Sequence, residues 1–299
     1  MESPDQPSGA FGARYLAFLE TIVHLRPSLH RYCSRMTGSV LDGEDVAQEA
    51  LFEAYRKLDR YDDTRPLAPW LFQIAHNRCV DFLRRRQVRV DAEAAVASPD
   101  VVQPPELPGP AVGRAVEHLV LVLPPKERAC VLLKDVFDYS LDEIADLIGS
   151  TVGGVKAALH RARAKLAASD GPSRSIERRN DERMPLVREY IHRFNERDWD
   201  GLRQLIAADA RVHVADRFSG RLADSPYFGR YARMTIPLRA GLADVDGEAA
   251  VIVYRMDGGS WMLQSIVRLE LDDGRIVRVV DYNHCPWVLQ SASIVGIAS

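Results

Sequence analysis

The chain is poor in several features that particular functional classes require. Four cysteines among 299 residues (Cys33, Cys79, Cys130 and Cys285) stand far apart, with no CxxC or CxxH spacing. That argues against a disulfide framework and a structural zinc site, and fits a reducing compartment. No stretch approaches the roughly 18 uninterrupted apolar residues of a membrane span, and mean hydropathy is −0.18. The opening residues Met1-Glu2-Ser3-Pro4-Asp5 lack a basic region followed by an apolar one, so no secretory leader is expected. There is no internal repeat, and nothing calls for a cofactor or a metal. Charge of one sign is also missing: the formal net charge is only −3. What remains is an ordinary globular composition, 46% hydrophobic and 27% charged, with length for about two domains at roughly 150 residues each. A cytoplasmic protein is expected.

The near-neutral average hides local patches, and local patches decide where phosphates bind. Between positions 152 and 180 stand Lys156, Arg161, Arg163, Lys165, Arg174, Arg178 and Arg179, against only Asp170 and Glu177. A second basic cluster is Arg84-Arg85-Arg86, followed by Arg89.

Residues 10–86 read as helices. Val46, Ala50, Leu51, Ala54, Tyr55 and Leu58 follow helical spacing after a turn containing Gly38, Asp42 and Gly43. A second amphipathic run carries Trp70, Leu71, Ile74, Ala75, Val80 and Phe82 up to the arginine triplet. From position 88 to 112 the pattern dissolves among five prolines, the composition of an extended linker.

Residues 113–168 are helical again and well punctuated. Pro124 and Pro125 suit a first helical turn ahead of Ala129, Val131, Leu132 and Val136. Ser140-Leu141-Asp142-Glu143 is a capping box, Gly149 suits the position after a helix end, and Thr151 can cap the next helix. Two helices around a tight glycine turn form a helix-turn-helix pattern. After a polar linker, Leu186, Tyr190, Ile191 and Phe194 mark one helix face, and Leu202, Leu205 and Ile206 a second. Strand patterns follow at 211–215, 249–256, 261–271 and 275–283, the last two joined by the hairpin signal Asp272-Asp273-Gly274.

In a helix-turn-helix the second helix lies in the DNA major groove, with cations near phosphates. Lys156, Arg161, Arg163 and Lys165 are spaced to present cations along that helix; a solvated basic face on a small bundle is the plainer alternative. The stretch LPPKERACVLLKDVFDYSLDEIADLIGSTVGGVKAALHRARAKL resembles region 4 of bacterial RNA polymerase sigma factors of the extracytoplasmic-function class. The resemblance implies that Lys156, His160, Arg161 and Arg163 contact the upstream promoter element. It departs at Gly154, Ala157 and Ala158, where such helices commonly carry polar side chains. Gly153 and Gly154 each lower helix propensity by about 1 kcal/mol relative to Ala.

The first domain resembles region 2 of the same family. Asp42-Gly43-Glu44-Asp45-Val46-Ala47-Gln48-Glu49 is similar to the acidic segment that docks on the polymerase clamp, which implies Asp45, Gln48 and Glu49 as polymerase contacts. A polar helix face is the alternative. Trp70 to Arg78, with Asp81 and Arg84 to Arg86, resembles the part that opens and reads the downstream element. That work needs apolar surfaces for unstacked bases and cations for the backbone. Asn77, Arg78, Arg84 and Arg85 are the implied DNA contacts, and the loop from Arg60 to Pro69 the implied cradle for a flipped base. Trp70 and Phe72 also suit an ordinary core.

Residues 184–290 resemble SnoaL-like polyketide cyclases, on the strength of YIHRFNERDWDGLRQLIAADARVHV, YFGR and RIVRVVDYNHCPWVL. The implied ligand pocket would draw on His213, Asp216, Asp281 and His284. The apolar segment from Cys285 to Leu289 is a candidate docking patch.

The fold expected is therefore multidomain. Sigma region 2 occupies 11–87, a linker 88–112, helix-turn-helix region 4 113–168, and a linker 169–183. An α+β SnoaL-like cone with a curved antiparallel sheet follows at 184–290. The implied partners are core RNA polymerase and promoter DNA, with a candidate small-molecule ligand in the C-terminal domain and no membrane. The implied role is a transcription initiation factor rather than an enzyme, its C-terminal domain modulating activity in cis. The rivals are a stand-alone helix-turn-helix regulator and a fusion carrying an isomerase or cyclase.

Overall fold

The computed structural model describes residues 9–62, 64, 66–96, 122–168, 184–215 and 217–296. They fall into two compact units, the first within residues 1–174 and the second within 175–299. Asp63, Arg65, Asp216 and the stretches 97–121 and 169–183 lie outside the described residues, and with them most of both expected linkers.

The first unit begins with α1 (Gly9–Thr37), α2 (Val40–Lys57) and α3 (Leu67–Val96). Gly38, with φ of 87°, breaks the first helix from the second. The Ser39 hydroxyl then caps α2 by accepting from the Asp42 amide at 3.3 Å. Asp42 and Gly43 therefore belong to the helix, not to the expected turn. Gly43 serves close packing instead: a Cβ built there would lie 2.3 Å from Ser34 Oγ and 2.4 Å from Ser34 Cα. Because part of that obstacle is backbone, Gly43→Ala is expected to cost about 1–3 kcal/mol, the usual range for overpacking, read as a lowered thermal midpoint of the first unit.

The α2 pattern is buried as its spacing requires at Val46, Ala50, Ala54 and Leu58. Tyr55 is half exposed, edge-on to Tyr15 at 5.7 Å. Helix α3 runs nine residues into the expected linker, ending at Val96. Residues 88–96 contain neither glycine nor proline, so nothing stops helix propagation before Pro99.

The helix-turn-helix follows: α4 (Pro125–Val131), a π-helical turn (Leu132–Val136), α5 (Leu141–Leu147) and α6 (Val152–Ala168). Pro125 occupies the first turn of α4. Val136, expected in the core, is 43% exposed because the π turn rotates it outward. The Ser140–Glu143 capping box is formed in both directions, at 3.2 and 2.8 Å. Gly149 has φ of 62°, and the Gly154 amide donates to Thr151 Oγ1 at 3.0 Å, capping α6.

A single apolar core runs through this unit, from Leu29, Tyr32 and Leu71 to Leu133, Ile144 and Val155. Two buried histidines sit in it, each with its pKa lowered to about 4. Burial is the main cause for both; the Val40 carbonyl opposes it at His30, and the charges of Arg26 and Arg31 add to it. His30 Nε2 donates to that carbonyl at 3.1 Å, and the Tyr32 hydroxyl donates to His76 Nδ1 at 2.9 Å. Both rings are neutral in the folded unit but titrate near 6.5 when unfolded. The unfolded chain thus binds more protons between pH 6.5 and about 4, so stability falls as pH falls through that window. Each histidine should cost about 2 kcal/mol between pH 7 and pH 5. Urea unfolding at the two pH values checks this, and His76→Gln should remove about half the difference.

The second unit opens with α7 (Met184–Asn195) and α8 (Trp199–Gln204). Val187, Tyr190 and Phe194 of α7 are buried, with Leu186 and Ile191 at the margin. Ile206, expected on a helix face, is the first residue of β1. The strands are β1 (Ile206–Val214), β2 (Phe218–Arg221), β3 (Leu238–Val245), β4 (Glu248–Asp257), β5 (Ser260–Asp272), β6 (Arg275–Asp281) and β7 (Ile294–Gly296). Helices α9 (Tyr227–Ala232) and α10 (Pro286–Ser291) complete the unit.

Sheet order is β2-β1-β6-β5-β4-β3-β7, open at both edges. The expected antiparallel sheet is corrected at one place, because β1 pairs parallel with β6. A parallel pair cannot be joined by a hairpin, so turn signals in the sequence carry no trace of it. The β5–β6 hairpin is built as expected: Asp272 pairs with Arg275, and Asp273 and Gly274 take φ of 44° and 68°, the positive values a two-residue type I′ turn needs.

Candidate nucleic-acid interface

Helix α6 buries Val155, Ala158, Leu159 and Ala162 against α4 and α5. Its cations sort onto two flanking faces. Lys156, His160 and Arg163 are spaced four and three apart, all exposed, and line an open groove with Lys134 and Leu141. Among the described residues Lys156 makes no ion pair, while Arg163 meets Asp135 at 2.9 Å with both partners largely exposed. Arg161 and Lys165 form the other face and are committed within the domain. They hold the two oxygens of Glu127 on α4, at 2.9 and 2.8 Å. The Glu127 side chain is only 7% exposed, and hydrogen bonds from Lys165 and Arg161 keep its carboxyl below the usual carboxylate range. Arg161, expected as a DNA contact, thus also ties α6 to α4, with its side chain 54% exposed.

In the first three helices the acidic and basic candidates meet. Glu49 of α2 is half exposed and lies 4.0 Å from Arg78 and 3.9 Å from Arg85. Arg78 Nε also donates to Glu53. Burial would raise the Glu53 pKa, but hydrogen bonds from Lys57 and Arg78 outweigh it and hold the carboxyl low. Arg84 lies 3.7 Å from Asp81, and Asn77 is exposed on α3. Asp45 is half-buried. Gln48 is the correction here: only 6% exposed, it donates to Glu44 Oε1 at 3.0 Å. Glu44 is itself fully buried and ion-paired with Arg26. Gln48 therefore completes an internal charge cluster rather than presenting to a partner. In the Arg60–Pro69 loop, Asp62 Oδ1 accepts from the Thr64 amide at 3.1 Å, and Tyr61 packs on Trp70 with ring centroids 4.7 Å apart.

Of the described C-terminal candidates, Asp281 and His284 both meet α9, while His213 lies on the opposite face of the sheet from Asp281. Asp281 is 2% exposed and accepts from Tyr231 at 2.7 Å, Tyr227 at 3.0 Å, the Asn283 amide at 2.9 Å and the Ser265 hydroxyl. Both tyrosines are pushed well above their ordinary pKa by burial and by the Asp281 charge, so they remain donors. His213 aligns with Val280 while Val214 aligns with Asp281. Adjacent strand residues point to opposite faces, so His213 and Asp281 face away from each other. His284 Nε2 accepts from Arg230 at 3.1 Å, and Asp216 lies outside the described residues. Tyr227, Tyr231 and Ser265 were not expected at this site; the spacing of two tyrosines four apart was the available signal. In the expected docking patch, Cys285 and Val288 are fully buried where α10 packs on β5, while Trp287 and Leu289 are half-buried.

Among the described residues no group of three or more His, Cys, Asp or Glu could hold a metal ion, and no helix is long and apolar enough to cross a membrane.

Comparison with known proteins follows this division. The Sigma-70 region 2 family matches residues 21–89, Sigma-70 region 4 matches 113–166, and the SnoaL-like domain matches 187–279. The extracytoplasmic-function sigma factor SigW of Bacillus subtilis is 32% identical over 162 residues, covering 50% of this chain and 87% of the relative. The chain belongs to the extracytoplasmic-function RNA polymerase sigma factors. SigG of Mycobacterium tuberculosis, another member, is 30% identical over 237 residues, 70% of this chain and 62% of the relative. Among solved structures, the sigma factor SigJ of Mycobacterium tuberculosis aligns with a TM-score of 0.37 at 18% identity, over 91% of this chain and 99% of that one. In this sigma factor, then, region 2 is built on α1–α3, region 4 on α4–α6, and the SnoaL-like domain on the seven-stranded sheet.

Proposed function

We propose that this sigma factor binds core RNA polymerase through α2, opens and reads the downstream promoter element through α3, and reads the upstream element through α6. The observation that carries this reading is the succession of region 2 and region 4 in one chain, with exposed cations along the outward face of the second helix of the helix-turn-helix. Glu49 is the leading polymerase contact, and Asn77, Arg78, Arg84 and Arg85 are the downstream-element contacts. The place of work is the cytoplasm. Runoff transcription with reconstituted polymerase tests the whole reading. Promoter-dependent product that requires this chain supports it; binding to DNA without any association with core polymerase would assign a stand-alone regulator instead.

Within α6, Lys156, His160 and Arg163 are the DNA-facing set, and Arg161 holds the domain together. A phosphate-contacting cation contributes about one unit to the slope of log affinity against log salt. Lys156→Ala is therefore expected to weaken binding across promoter sequences and flatten that slope by about one unit. Arg161→Ala should leave the slope nearly unchanged and lower the stability of the first unit. Fluorescence anisotropy between roughly 50 and 200 mM salt reads the first effect, thermal unfolding the second. A full-unit drop for Arg161→Ala would return that residue to the interface.

The SnoaL-like domain, in this reading, modulates transcription in cis and is not an enzyme. A catalytic base needs a free lone pair facing substrate, whereas four donors already occupy the Asp281 carboxylate. Removing residues 184–299 is expected to change runoff yield at matched concentration, and an unchanged yield would remove the modulating role.

A further inference from the structure

The outward face of the SnoaL-like sheet carries arginines in register across three strands. Along β1, Ala210, Val212 and Val214 turn into the core, so Arg211 points away from it and is exposed. Register then lines up like charges. Arg211 aligns with Arg221 of β2 on one side and with Arg278 of β6 on the other. Beyond Arg278 the row ends at Glu270 of β5, which Arg278 holds at 2.9 Å. Arg221 lies 3.9 Å from Asp224, both side chains being largely exposed. Among the described residues Arg211 makes no ion pair. Like charges directly opposite one another weaken a sheet. A charge on the edge strand β2 can keep a stray strand from pairing. Strands β1 and β6 lie inside the sheet, so that account does not reach Arg211 or Arg278.

We propose that this row is a landing surface for the sugar–phosphate backbone of duplex DNA flanking the upstream element. This rests on the reading of α6 as the helix that holds that element. Neighbouring strands stand about 4.8 Å apart, so the three arginines start from points about 10 Å across. Over that distance one strand of B-DNA sets about three phosphates, at roughly 3.4 Å each along the axis. The guanidinium fork matches phosphate oxygens in its own plane, and a polyanion turns the repulsion within the row into attraction. Chain length brings such DNA within reach. Fifteen residues separate Ala168, the last of α6, from Met184, the first of α7, enough to span roughly 50 Å when fully extended. A second anchor on one duplex acts at high effective concentration, so a few backbone contacts tighten promoter binding. They give the SnoaL-like domain a direct means of modulating it.

Fluorescence anisotropy on the full chain tests the surface, using two duplexes. One ends at the borders of the upstream element, and the other extends it by two helical turns on each side. The wild type is expected to bind the longer duplex more tightly, with a salt slope steeper by about two units. Arg211 and Arg221, the two arginines not committed to Glu270, supply about one unit each. Arg211→Ala combined with Arg221→Ala should remove that difference and leave binding to the short duplex unchanged. Arg211→Lys with Arg221→Lys keeps the charges and should keep the slope. The unfolding midpoint should not fall in either pair, because both side chains are exposed and stand opposite a like charge. An unchanged slope on the longer duplex in the alanine pair would overturn the proposal. So would a dimer in sedimentation that Arg211→Glu with Arg221→Glu dissociates while the slope holds, which would make this face a contact between copies. The reading of α6 fails separately, if Lys156→Ala leaves binding to the short duplex intact. In that case the alanine pair, measured on a duplex of unrelated sequence, still decides whether the sheet face binds DNA.

Discussion

Asp45→Arg combined with Glu49→Arg is expected to reduce affinity for core RNA polymerase at least a hundredfold, with circular dichroism and thermal unfolding little changed. Glu49 is half exposed and its contacts to Arg78 and Arg85 are near 4 Å. Ion pairs of that kind contribute about 0–1 kcal/mol to stability, so the reversal disturbs recognition far more than folding. Glu44→Ala should behave in the opposite way. It removes the Glu44 carboxylate from Arg26, whose side chain is 4% exposed, and breaking a buried ion pair by deleting one partner costs about 3–5 kcal/mol. It also removes the acceptor for Gln48. A protein that loses polymerase binding through Glu44→Ala should therefore show a much lower unfolding midpoint. Retained affinity in the folded double reversal would sink the assignment of α2 as the docking helix.

The second large effect is expected in the SnoaL-like domain. Asp281→Ala removes the shared acceptor of Tyr227, Tyr231, Ser265 and the Asn283 amide. Tyr227 and Tyr231 are the buried donors left unmatched, at about 1–3 kcal/mol each, so the loss should be about 2–6 kcal/mol, Ser265 keeping the Ile266 carbonyl as acceptor. Asp281→Asn keeps one oxygen acceptor and should cost less. Amide hydrogen exchange resolved by segment is the suitable measurement, because it separates the two units. Protection should fall across β5, β6 and α9 and stay unchanged in α1–α6. If Asp281→Ala leaves the domain stable, the carboxylate is not the centre that pins α9 to the sheet. Runoff transcription with the same variant then reports whether an intact SnoaL-like domain is needed for modulation.

Much of this architecture is written in local pattern. The Ser140–Glu143 box, the Thr151 cap, Gly149 after α5 and the Asp273-Gly274 turn each close their hydrogen bonds or set their φ within four residues. Interactions of that range depend on residue type and spacing alone, so the sequence by itself determined them, together with the order of the domains and the basic face of α6. Pairings between distant residues were decided by tertiary structure. Arg161 joins Glu127 across 34 residues, Arg78 joins Glu53 across 25, and Tyr227 joins Asp281 across 54. Which of several cations faces a partner and which faces its own domain depends on helix rotation about the core. A helix carrying charge on both flanks of its apolar stripe leaves that choice open. The same reasoning covers Gln48, whose polar side chain looked like surface until α1 brought Arg26 and Glu44 together beneath it. It also covers the parallel β1–β6 pairing and the joint between regions 2 and 4, because non-local contacts form only after the chain has closed long loops.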